Sequence, residues 1–359
     1  MKKRFHLPAL PGRPVLRSNS SCAYTGKVRR FATMMSDRGH EVFVYGGGGF
    51  DGRATEFVEC YATEEAPPFE AEAWRGANLA AAAAIDARRE EGDFLGIIGG
   101  LAQRAIADLL PEMWAVEYGV GYAGVFAPYR VFESYAWMHV VHGAESDSPM
   151  YDAPRWFDAV IPNYFDLEDF PVRTEKDDYL LYCGRLTEKK GLEVVEQAAR
   201  AADRPLFVAG PGDRELNYGE KVGEVGPEDR GELMAGAAAL LVPTLYAEPF
   251  GGVAVEAMMC GTPVISTDWG AFTETVRQGV DGFRCRTLGE FIWAIDAADR
   301  LDRAAIAERA RATYSTEAIA PRYESYFDRV ALLSEHGWFS DWEGLSQSVP
   351  ERSTLPLDA

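Results

Sequence analysis

The stretch EPFGGVAVEAMMCG, residues 248–261, follows the apolar segment ALLVP at 239–243. The order of these residue types predicts a strand, a loop and then a helix that opens at two glycines. The first amides of a helix have no partner within the helix, and the helix dipole favours negative charge beside them. Because Gly251 and Gly252 carry no side chain, their amides and that of Val253 suit a diphosphate group.

The alternation of strand and helix signals continues on both sides of this stretch. Strands are predicted at 41–45, 94–98, 114–118, 179–183, 205–209, 239–242 and 263–266, and helices are predicted to begin near Thr25, Gly191, Pro227, Gly251 and Ser315. Repeated strand–helix steps of this kind indicate parallel sheets with helices on their faces. We therefore expect an α/β fold.

The length and the internal composition of the chain predict two domains. A chain of 359 residues is longer than one ordinary single-core domain. Two prolines and a dense charge run without periodicity predict an interdomain linker at 166–178. Residues 1–165 and 179–315 would then form two Rossmann-like domains, followed by a last helix at 316–335 and a polar tail at 336–359.

Two acids flank the glycine pair and differ in their surroundings. Glu256 lies one turn into a helix that is otherwise apolar, so we expect it to be buried, and a buried carboxylate requires a partner. At that depth it could accept both hydroxyls of a ribose, whereas Glu248 in the loop could hold hydroxyls of a sugar beyond the phosphates. The alternative is that Glu248 is an ordinary helix-start acid and Glu256 an exposed one.

This pattern resembles a known family of enzymes. The acid-x7-acid stretch at 248–256, with GTPV at 261–264, resembles the signature of glycosyltransferase family four, the retaining glycosyl transferases of group 1. The segment GRLTEKKG at 184–191 is similar to the place where such enzymes keep an Arg and a Lys on the donor diphosphate. The resemblance thus assigns Arg185 and Lys190 to the charge that grows on the leaving group. Fixed cations do this without a metal, and no metal site is predicted.

The resemblance implies the GT-B architecture, in which two Rossmann-like domains face a central cleft. It places the donor, a UDP- or GDP-sugar, on the C-terminal domain and the acceptor on the N-terminal domain, and it implies that the last helix packs back toward the first domain. Within the motif it adds Phe250 to the donor site, and the nucleotide base is expected near Val225. No permanently bound cofactor is expected.

The first half offers fewer candidates. Thr25 and Gly26 open the first predicted helix and could approach the donor phosphates, or they could simply begin that helix. Many relatives carry a His after a strand of this half, but WAVEYGVGY at 114–122 offers Glu117 instead. His139 is a possible substitute, together with His142, although a His among apolar residues is more often part of a core.

The composition and one further motif disfavour several other classes of protein. The net charge of −20 disfavours a nucleic-acid partner without excluding one, because such binding rests largely on basic surface. Five scattered cysteines indicate free thiols and a cytoplasmic location. No run approaches the roughly 18 apolar residues of a membrane span. GGGFDG at 47–52 fits a dinucleotide fingerprint but leads into no helical pattern, which disfavours a nicotinamide enzyme.

We therefore expect a metal-independent hexosyl- or pentosyltransferase that moves a sugar to an acceptor, which could be a small molecule, a glycan or a lipid head group. Positioning and electrostatics would carry the rate, since no protein nucleophile is identifiable. The alternatives are a nucleotide-sugar epimerase or phosphorylase of the same fold, or an inactive nucleotide-sugar-binding protein.

Overall fold

The computed structural model describes residues 2–19, 22–62, 66–70, 72–146 and 157–336. Within these ranges the chain forms two parallel β-sheets, one in each half, with helices packed against both. The α/β fold expected from the sequence is confirmed. Most of the predicted tail, from residue 337 onward, lies outside the described residues.

The first sheet is built from the N-terminal half. Its strands are β1 (Arg4–Pro8), β2 (Glu41–Gly46), β3 (Glu56–Glu59), β4 (Phe94–Ile97), β5 (Trp114–Val120), β6 (Tyr129–Phe132) and β7 (Ala159–Val160). The strands lie in the order β3-β2-β1-β4-β5-β6-β7, and each neighbouring pair is parallel. The helices of this half are α1 (Ala23–Asp37), α2 (Arg75–Asp86), α3 (Arg104–Leu109) and α4 (Tyr135–Glu145).

The second sheet is built from the C-terminal half. Its strands are β8 (Leu180–Cys183), β9 (Leu206–Ala209), β10 (Glu220–Gly223), β11 (Ala239–Val242), β12 (Val264–Thr267) and β13 (Gly282–Cys285), in the order β10-β9-β8-β11-β12-β13. The helices are α5 (Leu192–Ala201), α6 (Pro227–Gly236), α7 (Gly252–Met259), α8 (Phe272–Thr275), α9 (Leu288–Ala298), α10 (Arg303–Tyr314) and α11 (Thr316–His336). Strand β11 has the bounds predicted from the sequence.

Helix α11 belongs to the core of the first half although it follows the second sheet. Its residues Ile319, Tyr323, Phe327 and Val330 are buried in one apolar cluster with β1 and α1, and the ring of Phe327 lies 4.8 Å from that of Phe5. The chain therefore crosses between the halves twice. The domain boundaries given above remain predictions.

The two crossings run side by side. The amide of Phe165 donates to the carbonyl of Tyr314, and the amide of Thr316 donates back to the carbonyl of Phe165. The hydroxyl of Thr316 also donates to Asp166, at 3.0 Å. This paired backbone forms a narrow connection between the two sheets.

The loops that follow the strands of the two sheets meet face to face. Ser134, which caps α4, donates its hydroxyl to the carbonyl of Pro249 at 2.6 Å. The first amides of α4, those of Tyr135 and Ala136, donate to the two carboxylate oxygens of Glu274 in α8, at 2.9 and 2.7 Å. Because both sheets are parallel, these contacts bring together their carboxyl ends, where ligands of open α/β sheets bind.

A lysine of the predicted linker holds two helices of the second half together. Lys176 Nζ donates to the carbonyl of Ala235 at the end of α6, to the carbonyl of Cys260 after α7 and to the hydroxyl of Thr262, at 2.7, 3.0 and 2.8 Å. The last carbonyls of a helix lack partners within the helix, and this side chain donates to two such carbonyls, of which that of Cys260 also accepts the amide of Arg173.

We expect Lys176→Met to lower the free energy of unfolding by about 3 kcal/mol, because three hydrogen bonds to one ammonium are lost. Urea unfolding followed by circular dichroism measures this loss. The matched control is Lys189→Met, an exposed lysine, which we expect to change stability by less than about 0.5 kcal/mol. Equal effects of the two substitutions would contradict the role given to Lys176.

Candidate active site

The start of α7 has the features predicted for anion binding. Gly251 precedes the helix with a φ of 77°, a left-handed conformation that favours glycine. A Cβ at Gly251 would lie 2.5 Å from the ring of Phe272, so the close approach of these two segments also requires glycine. Among the described residues, no side chain caps this helix. The first amides of α7 therefore remain available to an anion.

A half-buried ion pair lies beside the helix start. Lys190, on the turn before α5, approaches Glu248 with 2.7 Å between Nζ and Oε2, and its ammonium lies 4.9 Å from the ring centre of Tyr246. Burial alone would lower the pKa of Lys190, but the charge of Glu248 more than offsets it, and the pKa is raised. The structure thus brings together two predicted residues and keeps the lysine charged.

A second ion pair includes a residue that sequence reasoning missed. Glu256 already has a partner within the protein. Arg230 of α6 lies beside it, with 3.2 Å between Nε and Oε2. The charge of Glu256, more than burial, sets the pKa of Arg230, which is raised. Glu256 is half-buried rather than fully buried, so its carboxylate is partly open to solvent. Nothing in the sequence around Arg230 indicates that it contacts Glu256.

Arg185 has a different environment from Lys190. Its side chain is exposed and forms no hydrogen bond or ion pair within the described parts of the chain, while its carbonyl accepts a hydrogen bond from Tyr182 at 2.6 Å. Burial raises the pKa of Tyr24, in α1, to about 12, and the positive charge of Arg185 opposes that shift. The guanidinium therefore acts across the cleft on the N-terminal half.

The N-terminal half contributes an ion pair that was not predicted. Lys27 of α1 and Glu133 after β6 lie with 2.5 Å between Nζ and Oε1, and each side chain is 5% exposed. Lys27 also donates to the carbonyl of Gly119 at 2.9 Å. Burial raises the pKa of Glu133, Lys27 opposes this, and the charge of Glu248 adds to it. The only local sign of this pair in the sequence is the charged residue Glu133 directly before Ser134, which caps α4.

Two predicted catalytic residues of the N-terminal half do not reach this group. Glu117 is fully buried in β5, and its Oε2 accepts the amides of Phe126 and Ala127 at 2.9 and 3.0 Å. It therefore fixes the loop before β6 instead of facing a ligand, which corrects the catalytic role suggested above. His139 is exposed on α4, 6.5 Å from the ring of His142, and His142 pairs with Asp158.

The buried state of Glu117 predicts a dependence of stability on pH. Burial raises the pKa of Glu117 from 4.5 to about 7, so the folded protein binds more protons than the unfolded chain between these values. The stabilisation is complete below pH 4.5 and is lost as the pH rises to 7. We expect Glu117→Gln to remove on the order of 3 kcal/mol of this dependence. Urea unfolding of the wild type and of Glu117→Gln at pH 5 and pH 8 measures this difference. An equal loss of stability in both proteins between the two pH values would contradict the prediction.

The remaining residues predicted to bind the donor differ in how far they are buried. Phe250 is 3% exposed and packs with Phe165 and Tyr314, so its side chain belongs to the core. Thr25 is buried with a hydroxyl that has no hydrogen-bond partner among the described residues. Gly26 lies over Arg30, whose Nη1 would be 3.2 Å from a Cβ there. Val225 is half-buried at the edge of the second core.

No helix in the described ranges combines the length and apolar character that crossing a bilayer would require.

Comparison with known proteins agrees with this geometry. The family described as Glycosyl transferases group 1 matches residues 177–298. The chain is 30% identical to a phosphatidyl-myo-inositol mannosyltransferase of Mycobacterium tuberculosis over 46% of this chain and 47% of that protein. It thus spans about half the length of that curated relative.

Two solved structures show the same fold over nearly the whole chain. AviGT4, a glycosyltransferase involved in avilamycin A biosynthesis, has a TM-score of 0.69 at 20% identity and covers 92% of this chain and 98% of its own. Anabaena HepE in complex with UDP-glucose has a TM-score of 0.59 at 17% identity and covers 91% and 99%. The chain therefore has the GT-B fold of two Rossmann-like sheets, and its residues 177–298 carry the likeness to glycosyl transferases of group 1.

Proposed function

We propose that this protein is a retaining, metal-independent glycosyltransferase that moves a sugar from a nucleotide diphosphate sugar to an acceptor in the cleft. The observation that carries the proposal is the start of α7, where uncapped amides lie between the pairs Lys190–Glu248 and Arg230–Glu256. Phosphates, hydroxyls and charge growing on a leaving group each find a suitable partner there. The family match at 177–298 includes all of these residues.

The donor would extend from α6 to the cleft. The amides of Gly252 and Val253 bind the diphosphate, Glu256 accepts the ribose hydroxyls beside Arg230, and the base lies near Val225. Glu248 accepts hydroxyls of the transferred sugar. Lys190 is then shared between Glu248 and the phosphates, which keeps this ammonium fixed before the reaction begins.

The rate would come from positioning and electrostatics. Arg185 and Lys190 stabilise the diphosphate as the glycosidic bond breaks, and the donor phosphate helps to take the proton of the acceptor hydroxyl on the same face of the sugar. This route needs no protein nucleophile. The acceptor would lie against the N-terminal half, whose loops face the donor site. The acceptor would be a small molecule, a glycan or a lipid head group.

UDP-sugars are the first donors to test, because the HepE structure contains UDP-glucose, and GDP-sugars are the second. A thermal-shift screen of UDP-, GDP- and ADP-sugars should show stabilisation by one base class; a ligand at 100 times its Kd adds about 2.7 kcal/mol. Failure of every nucleotide to shift the melting temperature would refute the proposal. A cytoplasmic location belongs to the same proposal and rests on the scattered, unpaired cysteines.

We expect Arg185→Ala to lower kcat about 100-fold, because one fixed charge on the leaving diphosphate is lost. The side chain is exposed and has no partner in the described structure, so the free energy of unfolding should stay within about 0.5 kcal/mol of the wild type. Release of nucleoside diphosphate in the presence of donor and acceptor measures turnover. Arg286→Ala, at an exposed arginine after β13, is the control. Unchanged turnover in Arg185→Ala would refute this role.

A further inference from the structure

The ion pair between Lys27 and Glu133 lies in the wall of the cleft opposite the proposed donor site. Glu133 is 5% exposed, and although Lys27 stands beside Oε1, this buried oxygen has no hydrogen-bond partner among the described residues. An ionised carboxylate can accept about four hydrogen bonds. Burial without those bonds is costly, so Glu133 has unused capacity to accept hydrogen bonds from a ligand.

Glu133 points toward the loop that carries Glu248. A Cβ at Gly121, where β5 ends, would clash with Oε2 of Glu133 and would lie 3.4 Å from Pro249, the neighbour of Glu248. The carboxylate therefore occupies space that a side chain at the end of β5 would take. Ser134, next to Glu133, donates to the carbonyl of Pro249. These contacts fix the distance between the two halves at this point.

Glu133 and Glu248 lie close enough for the charge of Glu248 to raise the pKa of Glu133, and each carboxylate is paired with a lysine. Lys27 pairs with Glu133 on one side and Lys190 pairs with Glu248 on the other, so the group of four has no net charge. A ligand between the two carboxylates meets a hydrogen-bond acceptor on each of them. Hydroxyl groups donate to such acceptors, whereas a further anion is repelled by both. Arg30 lies farther along the wall, over the ring of Phe165 at 5.3 Å, where Gly252 packs, and so lies nearer the phosphates.

We propose that Glu133 and Glu248 hold the transferred sugar between them through its hydroxyls, so the donor carries a neutral, hydroxyl-rich sugar and not an acidic one. This inference rests on the proposed function, because it concerns the sugar of a nucleotide-bound donor. Glu133 then contacts the substrate, and Lys27 is a positioning residue that keeps Glu133 ionised and in place.

The inference predicts a preference that a binding experiment can measure. Isothermal titration should show that the wild type binds UDP-glucose at least 10-fold more tightly than UDP-glucuronate, since the added carboxylate meets two others. If the nucleotide screen selects guanine, the pair is GDP-mannose and GDP-mannuronate. In Glu133→Gln the ratio should fall several-fold, because one of the two repelling charges is removed, while affinity for the free nucleoside diphosphate stays within about twofold.

Two further variants separate this role from folding. Lys27→Met/Glu133→Gln removes both charges of the pair and leaves no buried ion unpaired, and it should show the same reduced ratio. Asp93→Asn changes another buried carboxylate of the first half, at the opposite end of its sheet beside His6, and it should keep the wild-type ratio even if it lowers stability.

The outcomes distinguish the two proposals. If the wild type binds no nucleoside diphosphate, the proposed function fails and this inference fails with it. If the wild type binds nucleotide but does not prefer the neutral sugar, or if Glu133→Gln keeps the full preference, the inference alone is overturned.

Discussion

Glu256→Ala is expected to weaken binding of the donor nucleotide about 100-fold. The substitution removes the acceptor for two ribose hydroxyls, and hydrogen bonds to a charged group are worth about 1.5–3 kcal/mol each. It also removes the carboxylate that lies 3.2 Å from Arg230. Isothermal titration with the nucleoside diphosphate alone measures the loss, since the ribose belongs to that part of the donor.

The control for Glu256→Ala is Glu232→Ala, an exposed acid on the same helix as Arg230. We expect it to keep the wild-type Kd within about twofold. Glu256→Gln retains an acceptor oxygen but not the charge, so it should give an intermediate Kd. A Kd in Glu256→Ala equal to that of the wild type would remove Glu256 from the donor site, and the ribose would have to be bound elsewhere.

Lys190→Met is expected to lower kcat about 1000-fold, which would make it the most damaging single change in the site. A preorganised charge on a leaving group contributes about 3–4 kcal/mol to the transition state. The same substitution leaves Glu248 largely buried beside Thr244 and Tyr246 without its cation, so some loss of stability is also expected. Single-turnover release of nucleoside diphosphate separates the chemical step from binding.

The double variant Lys190→Met/Glu248→Gln tests whether the effect is one of folding. It removes both charges of the buried pair, so stability should recover by comparison with Lys190→Met, while kcat should not recover. Recovery of turnover together with stability would show that Lys190 only supports the fold.

Much of the second half could be predicted because its elements have clear boundaries in sequence. Pro227 begins α6 and Gly251 precedes α7, as predicted, and both residues favour those positions for steric reasons. The apolar run of β11 is short and continuous, as expected of a strand buried on both faces. Lys190 and Glu248 were each assigned to the site through separate motifs, and the structure joins them in an ion pair that was not predicted.

The first half was harder to predict because polar groups interrupt its apolar patterns. Strand β1 lies inside the sheet, yet it contains His6, which is satisfied by Tyr45 and Asp93 at 2.8 Å each. Those partners lie far along the chain, so the sequence gives no local sign that a histidine is paired in a core. The catalytic role suggested for Glu117 fails for the same reason, since its partners are backbone amides of a loop.

The partners of the site residues could not be found from sequence at all. Arg230 meets Glu256 only because α6 packs beside α7, and Lys27 meets Glu133 only because α1 packs against the ends of β5 and β6. The partners are 26 positions apart in one pair and 106 in the other, and neither spacing predicts a contact before the fold is known.

The contact of Glu274 with α4 has a consequence for how a ligand enters. The starts of α4 and α7 both lie at the cleft, and a helix start with free amides attracts a phosphate. At α4 that place is already filled, because Glu274 accepts both leading amides. Under the proposed function, the diphosphate therefore binds at the start of α7, which no side chain of the described residues caps, and not at the start of α4.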